Sequence, residues 1–154
     1  MKRYNIELYK SFDKTTFYTI HEESKKVSET DDFFLRFKDE KKFQRDVNLI
    51  RYWLGKIGNE YGAQERRFRP EGKGSAIPIE SSKLRLYCYR INERIIILGN
   101  GGEKTSQKVQ DSPDAFPHFE TINHLAYIIN LKKQKGEISF AENQIQGDLS
   151  FYIK

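Results

Sequence analysis

The chain has 154 residues, with 27 Lys and Arg against 22 Asp and Glu and a single cysteine. That length suits one domain with a buried core. Cys88 alone excludes an internal disulfide and a cysteine-built zinc site, and no apolar run approaches the ~18 residues of a membrane span.

The excess positive charge is concentrated. Residues 41–110 hold 15 Lys and Arg against 7 Asp and Glu, which points to an anionic partner, nucleic acid foremost. The start, MKRYNIELYK, has no apolar leader, so a cytoplasmic protein with no membrane partner, cofactor or metal is expected.

In chain order, YNIELYK and TTFYTIH alternate around Ser11-Phe12-Asp13-Lys14, a β-hairpin pattern. Ser28 or Thr30 can N-cap a helix, with Asp31 and Asp32 in its first turn. Phe43, Val47, Ile50, Leu54 and Ile57 recur at steps of three and four. They predict an amphipathic helix ended by Gly58 or Gly62, with Lys42, Arg45, Arg51 and Lys56 on its opposite face. Phe33, Phe34, Phe37 and Trp53 read as core. ERRFRPEGKGS reads as a basic connection without periodicity.

Three strands follow in AIPIE, KLRLYCYRI and RIIIL. Pro78 makes the first an edge or broken strand, and Asn92-Glu93 predicts a tight turn between the other two. FPHFETINHLAYIINLKKQKG predicts a helix with Phe119, Ile122, Ala126 and Ile129 on one face and Gly136 as its stop. EISFAENQIQGDLSFYIK holds two strand-like pieces around Gln146-Gly147-Asp148. The expected fold class is α+β, with an N-terminal β-hairpin and helices packed on a small antiparallel sheet. It is a single domain over 1–154, with a core of about 32–113 and a C-terminal helix-plus-strand extension of about 114–154. The extension is expected to dock on the sheet and narrow access to its basic face, since so short a segment seldom folds alone.

The stretch IIILGNGGEKT suggests a phosphate-cradling loop, and its spacing rejects one. Glu103 rather than glycine precedes Lys104, and Leu98 stands five residues earlier. The expectation instead is that Gly99, Gly101 and Gly102 take positive φ and turn the chain sharply, aiming Lys104 back over the face of the preceding strand.

On that strand, alternation places Leu84, Leu86 and Cys88 on one side and Arg85, Tyr87 and Tyr89 on the other. Cys88 reads as a core thiol. Arginine offers paired donors to phosphate and tyrosine a ring for base stacking. With Arg66, Arg67 and Arg69 before the sheet, Arg90 within it, and Lys104 and Lys108 after it, a basic surface suited to RNA is expected.

The order of these features is helices with a basic outer face, FRPEG, an Arg-x-Tyr strand, an aliphatic strand ending in glycines and lysine, then DSP. It resembles the RelE/HigB-like toxins of bacterial type II toxin–antitoxin systems over roughly Asp32–Pro113. Arg85 with Tyr87 or Tyr89, then Lys104-Thr105, Lys108 and Pro113, are the matching residues.

The resemblance implies a RelE-like sheet and a metal-independent endoribonuclease that cleaves mRNA, often on the ribosome, and is neutralised by a cognate antitoxin protein. A 2′-hydroxyl would attack the adjacent phosphorus, with Arg85 and Lys104 stabilising the developing charge and Lys108 or Arg69 assisting. Tyr87 or Tyr89 would orient the base or nucleophile. His118 is a candidate acid or base because some HigB-like members use a histidine after the lysine turn. His118 and His124 are six residues apart, which matches no metal-ligand step on a helix. Two other classes stay open: a non-catalytic RNA- or protein-binding regulatory or defence module on the same scaffold, and a small α+β enzyme with a tail-capped pocket.

Overall fold

The computed structural model describes residues 1–77 and 83–154, with the backbone alone at Arg69 and Glu71. Pro78, read as a strand edge, lies outside the described residues. Strands β1 (Lys2–Ser11) and β2 (Thr16–Glu22) form the expected hairpin. Helix α1 (Glu29–Phe37) begins at Ser28, whose side chain accepts from the Asp31 N–H at 3.1 Å, and Glu29, Asp31 and Asp32 occupy its first turn. Helix α2 (Gln44–Lys56) buries Val47, Ile50 and Leu54. It does not stop at Gly58. It widens into a π turn over Ile57–Tyr61, ended by Gly62 at φ 71°, whose N–H donates to the Ile57 carbonyl at 2.8 Å.

The stretch expected to be an irregular connection contains β3 (Arg69–Glu71) and β4 (Gly74–Ala76), paired about a turn with Gly72 at φ 65°. Strands β5 (Leu84–Asn92) and β6 (Ile95–Glu103) turn at Glu93-Arg94, one residue later than expected. Helix α3 (Phe116–Gln134) is followed by Gly136 at φ 73°. The tail then makes three strands rather than two: β7 (Ile138–Ala141), β8 (Gln144–Gly147) and β9 (Ser150–Ile153).

Among the described residues, seven strands form one sheet in the order β3-β4-β5-β6-β2-β1-β9, antiparallel except for β2 beside β6. The fold is thus α+β with a mostly antiparallel sheet. The sheet is larger than expected because the N-terminal hairpin joins it, with β2 next to β6. The reason lies in β6. Ile96 and Leu98 enter a phenylalanine-rich core under α1 and α2, while Ile95 and Ile97 enter a second core under α3. A strand buried on both faces reads as an unbroken apolar run and accepts a parallel neighbour. Leu84, Leu86 and Cys88 pack in the first core with Phe43, Val47, Ile50 and Ile57, as the two periodicities required. The extension docks as expected: Ile122, Leu125 and Ile129 of α3 line the second core, and β9 pairs with β1, stacking Phe151 on Tyr4 at 5.2 Å.

The glycine turn is absent. Gly99, Gly101 and Gly102 lie inside β6, and none has positive φ. Their small size serves close approach instead. A Cβ on Gly101 would stand 1.7 Å from the Arg85 carbonyl oxygen, and one on Gly99 would meet Ile122 of α3 at 2.6 Å. Consequently Lys104 does not fold back over Arg85 and Tyr87. The ladder runs on, and the Lys104 N–H donates to the Lys83 carbonyl at 2.6 Å.

Strands β2 and β6 stop pairing after Thr19 and Leu98, and α1 fills the fork. Thr30 Oγ1 donates to the Gly99 carbonyl at 2.8 Å, and Asn100 Nδ2 donates to Glu29 and Asp32 at 2.9 Å each. Arg36 spans Asp32, Asn100, the Gly101 carbonyl and, at 3.3 Å, Asp114. These side chains satisfy the edge groups that β2 leaves unpaired.

Candidate nucleic-acid interface

The residues expected on one basic face are divided among several places. Arg85, Tyr87 and Tyr89 share a side of β5, but it is a covered side. Tyr87 is wholly buried, its ring edge-on to Phe119 of α3 at 6.0 Å, and Arg85 is 8 % exposed with Nη1 donating to the Leu84 carbonyl at 3.2 Å. Tyr89 is half-buried, donating to Asn130 Oδ1 at 3.3 Å, and burial raises its pKa. Burial likewise pushes the Cys88 thiol well up, as expected of a packed core group.

Lys104 and Lys108 lie beyond the end of β6, the first half-buried and the second exposed, and with Lys83 they form no ion pair with another described residue. His118 sits in the first turn of α3, where burial and then the Arg36 charge lower its pKa, against opposing pulls from Glu29, Asp114 and Asp32. Arg69 is on β3, and its side chain lies outside the described residues.

Arg66, Arg67 and Arg90 do come together. Arg67 Nε and Arg66 Nη2 donate to Gln64 Oε1 at 2.8 and 3.4 Å, and Arg90 Nε donates to the Ala63 carbonyl. All three lean on the segment that leaves the π turn. That turn also organises the aromatic rings beside them. In a regular helix, residues eight apart stand about 80° apart around the axis. The wider turn rotates less per residue and brings Tyr61 beside Trp53, their rings tilted by 38° with centroids 6.1 Å apart.

Tyr52 extends the row, its ring 5.8 Å from Trp53. Two cations cover this row. The Arg67 guanidinium lies 4.0 Å from the Tyr61 centroid, and Lys56 Nζ lies 5.6 Å from that of Tyr52, held also by Glu60 at 2.8 Å. Tyr52 is 53 % exposed and Tyr61 36 %. The result is a partly exposed row of rings that carries one arginine and one lysine, with Arg66 and Arg90 beside it, a combination able to stack unpaired bases and hold their phosphates.

Sequence pattern identifies the arginines and misses the rings. It places Trp53 in the core, and Trp53 does pack against the first core with one side. The signal for the row is Tyr52 itself, which lies off the Val47–Ile50–Leu54 stripe that faces the core. No group of acidic, histidine or cysteine side chains among the described residues is placed to hold a metal ion, and no described helix is long and apolar enough to cross a membrane. No family model, curated protein or solved structure matches this chain.

Proposed function

We propose that this chain binds single-stranded RNA, as a binding module on a RelE/HigB-like scaffold, through the row Tyr52–Trp53–Tyr61 and the cations Arg66, Arg67 and Arg90. The observation that carries the reading is the exposed, arginine-covered aromatic row at the end of α2. Base stacking on such rings is worth about 1–3 kcal/mol per base and tolerates any sequence. Messenger RNA, free or on the ribosome, is the substrate class that the resemblance brings.

The test uses a property of the chain itself, since Trp53 is its one tryptophan. Titration with a single-stranded oligoribonucleotide should quench Trp53 fluorescence at low salt. Tyr61→Ala should weaken binding about tenfold. Replacing Arg66 and Arg67 with alanine should lower the slope of log affinity against log salt by up to about 0.7 for each phosphate no longer neutralised. Unchanged fluorescence with no retained RNA at low salt would refute the reading.

A second reading, the metal-independent mRNA endoribonuclease, is favoured by one observation. Lys83 and Lys104 pair through their backbones at the end of the β5–β6 ladder, with Lys108 in the loop that follows, and none of the three has an ion-pair partner among the described residues. On this reading Lys104 stabilises the phosphoryl charge and His118, its pKa lowered by burial and by Arg36, accepts a proton. Arg85 and Tyr87, being buried, would act by supporting the strand. Expression of the wild-type chain should then arrest growth and cleave mRNA, with Lys104→Ala lowering the rate about 10²–10³-fold. Normal growth and intact mRNA would leave the binding module alone standing, and an antitoxin would then have no toxic activity to neutralise.

A further inference from the structure

Gly55 lies inside the continuous helical stretch of α2 and its π turn, a position where glycine is unfavourable relative to alanine. Nothing in the fold requires it there, since a Cβ built on Gly55 meets no atom within 4 Å. Gly58, one turn on, is different. A Cβ there would lie 2.3 Å from the Phe12 ring, so the seating of Phe12 accounts for it. Gly55 instead opens onto a groove of about 310 Å³ between α2 and the β1–β2 hairpin, walled by Tyr9, Phe12 and Phe34 and carrying Lys10 and Arg51. That volume is at the small end of the range for ligand pockets.

Two further features shape the groove. The β1–β2 register slips between Leu8 and Lys10. Successive strand residues normally point to opposite faces, but this bulge brings the neighbours Tyr9 and Lys10 to the same groove. The two cations are also held in place by rings: the Arg51 guanidinium lies 4.1 Å from the Phe34 centroid and Lys10 Nζ lies 5.1 Å from that of Phe12. Asp31 stands nearby, lining a neighbouring cleft that shares Phe34 and Arg51.

We propose that this groove is a nucleotide subsite: a base enters between Tyr9 and Phe12 over the bare helix backbone at Gly55, and its phosphate sits on Arg51 and Lys10. Glycine lets a ligand approach a helix more closely than any other residue does. Aromatic walls supply stacking and the two fixed cations select an anion. Arg51 and Gly55 share α2 with Tyr52 and Lys56, so a strand lying on the aromatic row continues around the helix into the groove. The inference rests on the RNA-binding reading and adds the position and chemistry of one nucleotide.

Substitutions at Gly55 give opposite signs for folding and binding, which separates this role from a structural one. Gly55→Ala should raise the melting midpoint by about 3 °C, and Gly55→Leu, which projects into the groove, should leave the protein folded. Against a ten-residue oligouridylate, the leucine variant should bind at least about tenfold more weakly than wild type, and Arg51→Gln should weaken binding with a reduced salt dependence. Oligouridylate affinity unchanged in Gly55→Leu overturns the subsite and leaves the aromatic row intact. Absence of oligouridylate binding to the wild-type chain, with Trp53 fluorescence unaltered, overturns both.

Discussion

Two parts of this molecule carry the same chemical vocabulary and opposite exposure. On β5, Arg85, Tyr87 and Tyr89 make a cationic, aromatic strand face, and at the end of α2, Tyr52, Trp53, Tyr61 and Arg67 make a cationic, aromatic helical one. The first lies largely inside the protein, with Tyr87 at 0 % exposure beside Phe119. The second stands in solvent, with Tyr52 at 53 %. The composition of a face therefore does not decide its use. What decides it is whether another element has an apolar side that must be covered, and α3 has one in Ile122, Leu125 and Ile129.

The comparison can be broken most severely by removing the cover. A chain ending before Asp114 loses α3 and the β9 partner of β1, and it exposes Tyr87, Ile95 and Ile97 together. It is expected to be insoluble; a soluble, monomeric product with the wild-type melting midpoint would show that the second core is dispensable. Next, Tyr87→Ala should destabilise by about 3–5 kcal/mol, as removal of a large buried ring does. Tyr52→Ala should stay within about 0.5 kcal/mol of wild type while weakening RNA binding. Denaturant unfolding of the two variants measures the contrast directly, and equal losses would dissolve it.

A smaller effect, read through pH, separates a histidine of the covering helix from one of the hairpin. His118, beneath the fork, has its pKa lowered by burial and then by Arg36. The unfolded chain takes up the proton first, so stability falls as pH drops from about 6.5 towards the lowered native value. His21, on the hairpin, has its pKa raised by its hydrogen bond to the Lys25 carbonyl at 2.8 Å and further by Glu7 at 3.1 Å. Its contribution is complete below about 6.5 and disappears as pH rises through the raised native value. Melting midpoints of His118→Gln and His21→Gln, relative to wild type, should therefore move in opposite directions between pH 5 and 8.

The smallest change belongs to the tail's surface. Asp148 is held down to about 2, chiefly by its hydrogen bond from Lys132 at 2.8 Å. Its contribution is present above the ordinary carboxylate value and is lost as pH falls through about 2. Because Asp148 stands in solvent, its side chain 54 % exposed, Asp148→Asn should cost about 0.5 kcal/mol at neutral pH by thermal unfolding.

Local periodicity made much of the fold legible from sequence. The three- and four-residue steps of α2, the alternation in β5, the hairpin residues at Ser11–Lys14 and the stop at Gly136 are each determined by contacts a few residues long. The arginines of the candidate interface were legible for the same reason, because charge and residue type need no partner to be read.

Three things were decided only by packing. Gly99 and Gly101 looked like a turn because glycine permits positive φ, yet they serve the close approach of α3 and β5, which distant residues impose. The hairpin joined the main sheet because β6 is buried on both faces and had a parallel edge to offer to β2. Trp53 and Tyr61 met because the helix widened into a π turn at Ile57, a change in winding that depends on Gly58 receiving Phe12 and the hairpin turn. Sequence pattern records what a residue prefers beside its neighbours in the chain; which surface remains open depends on elements tens of residues away, and that is set only when the two cores close.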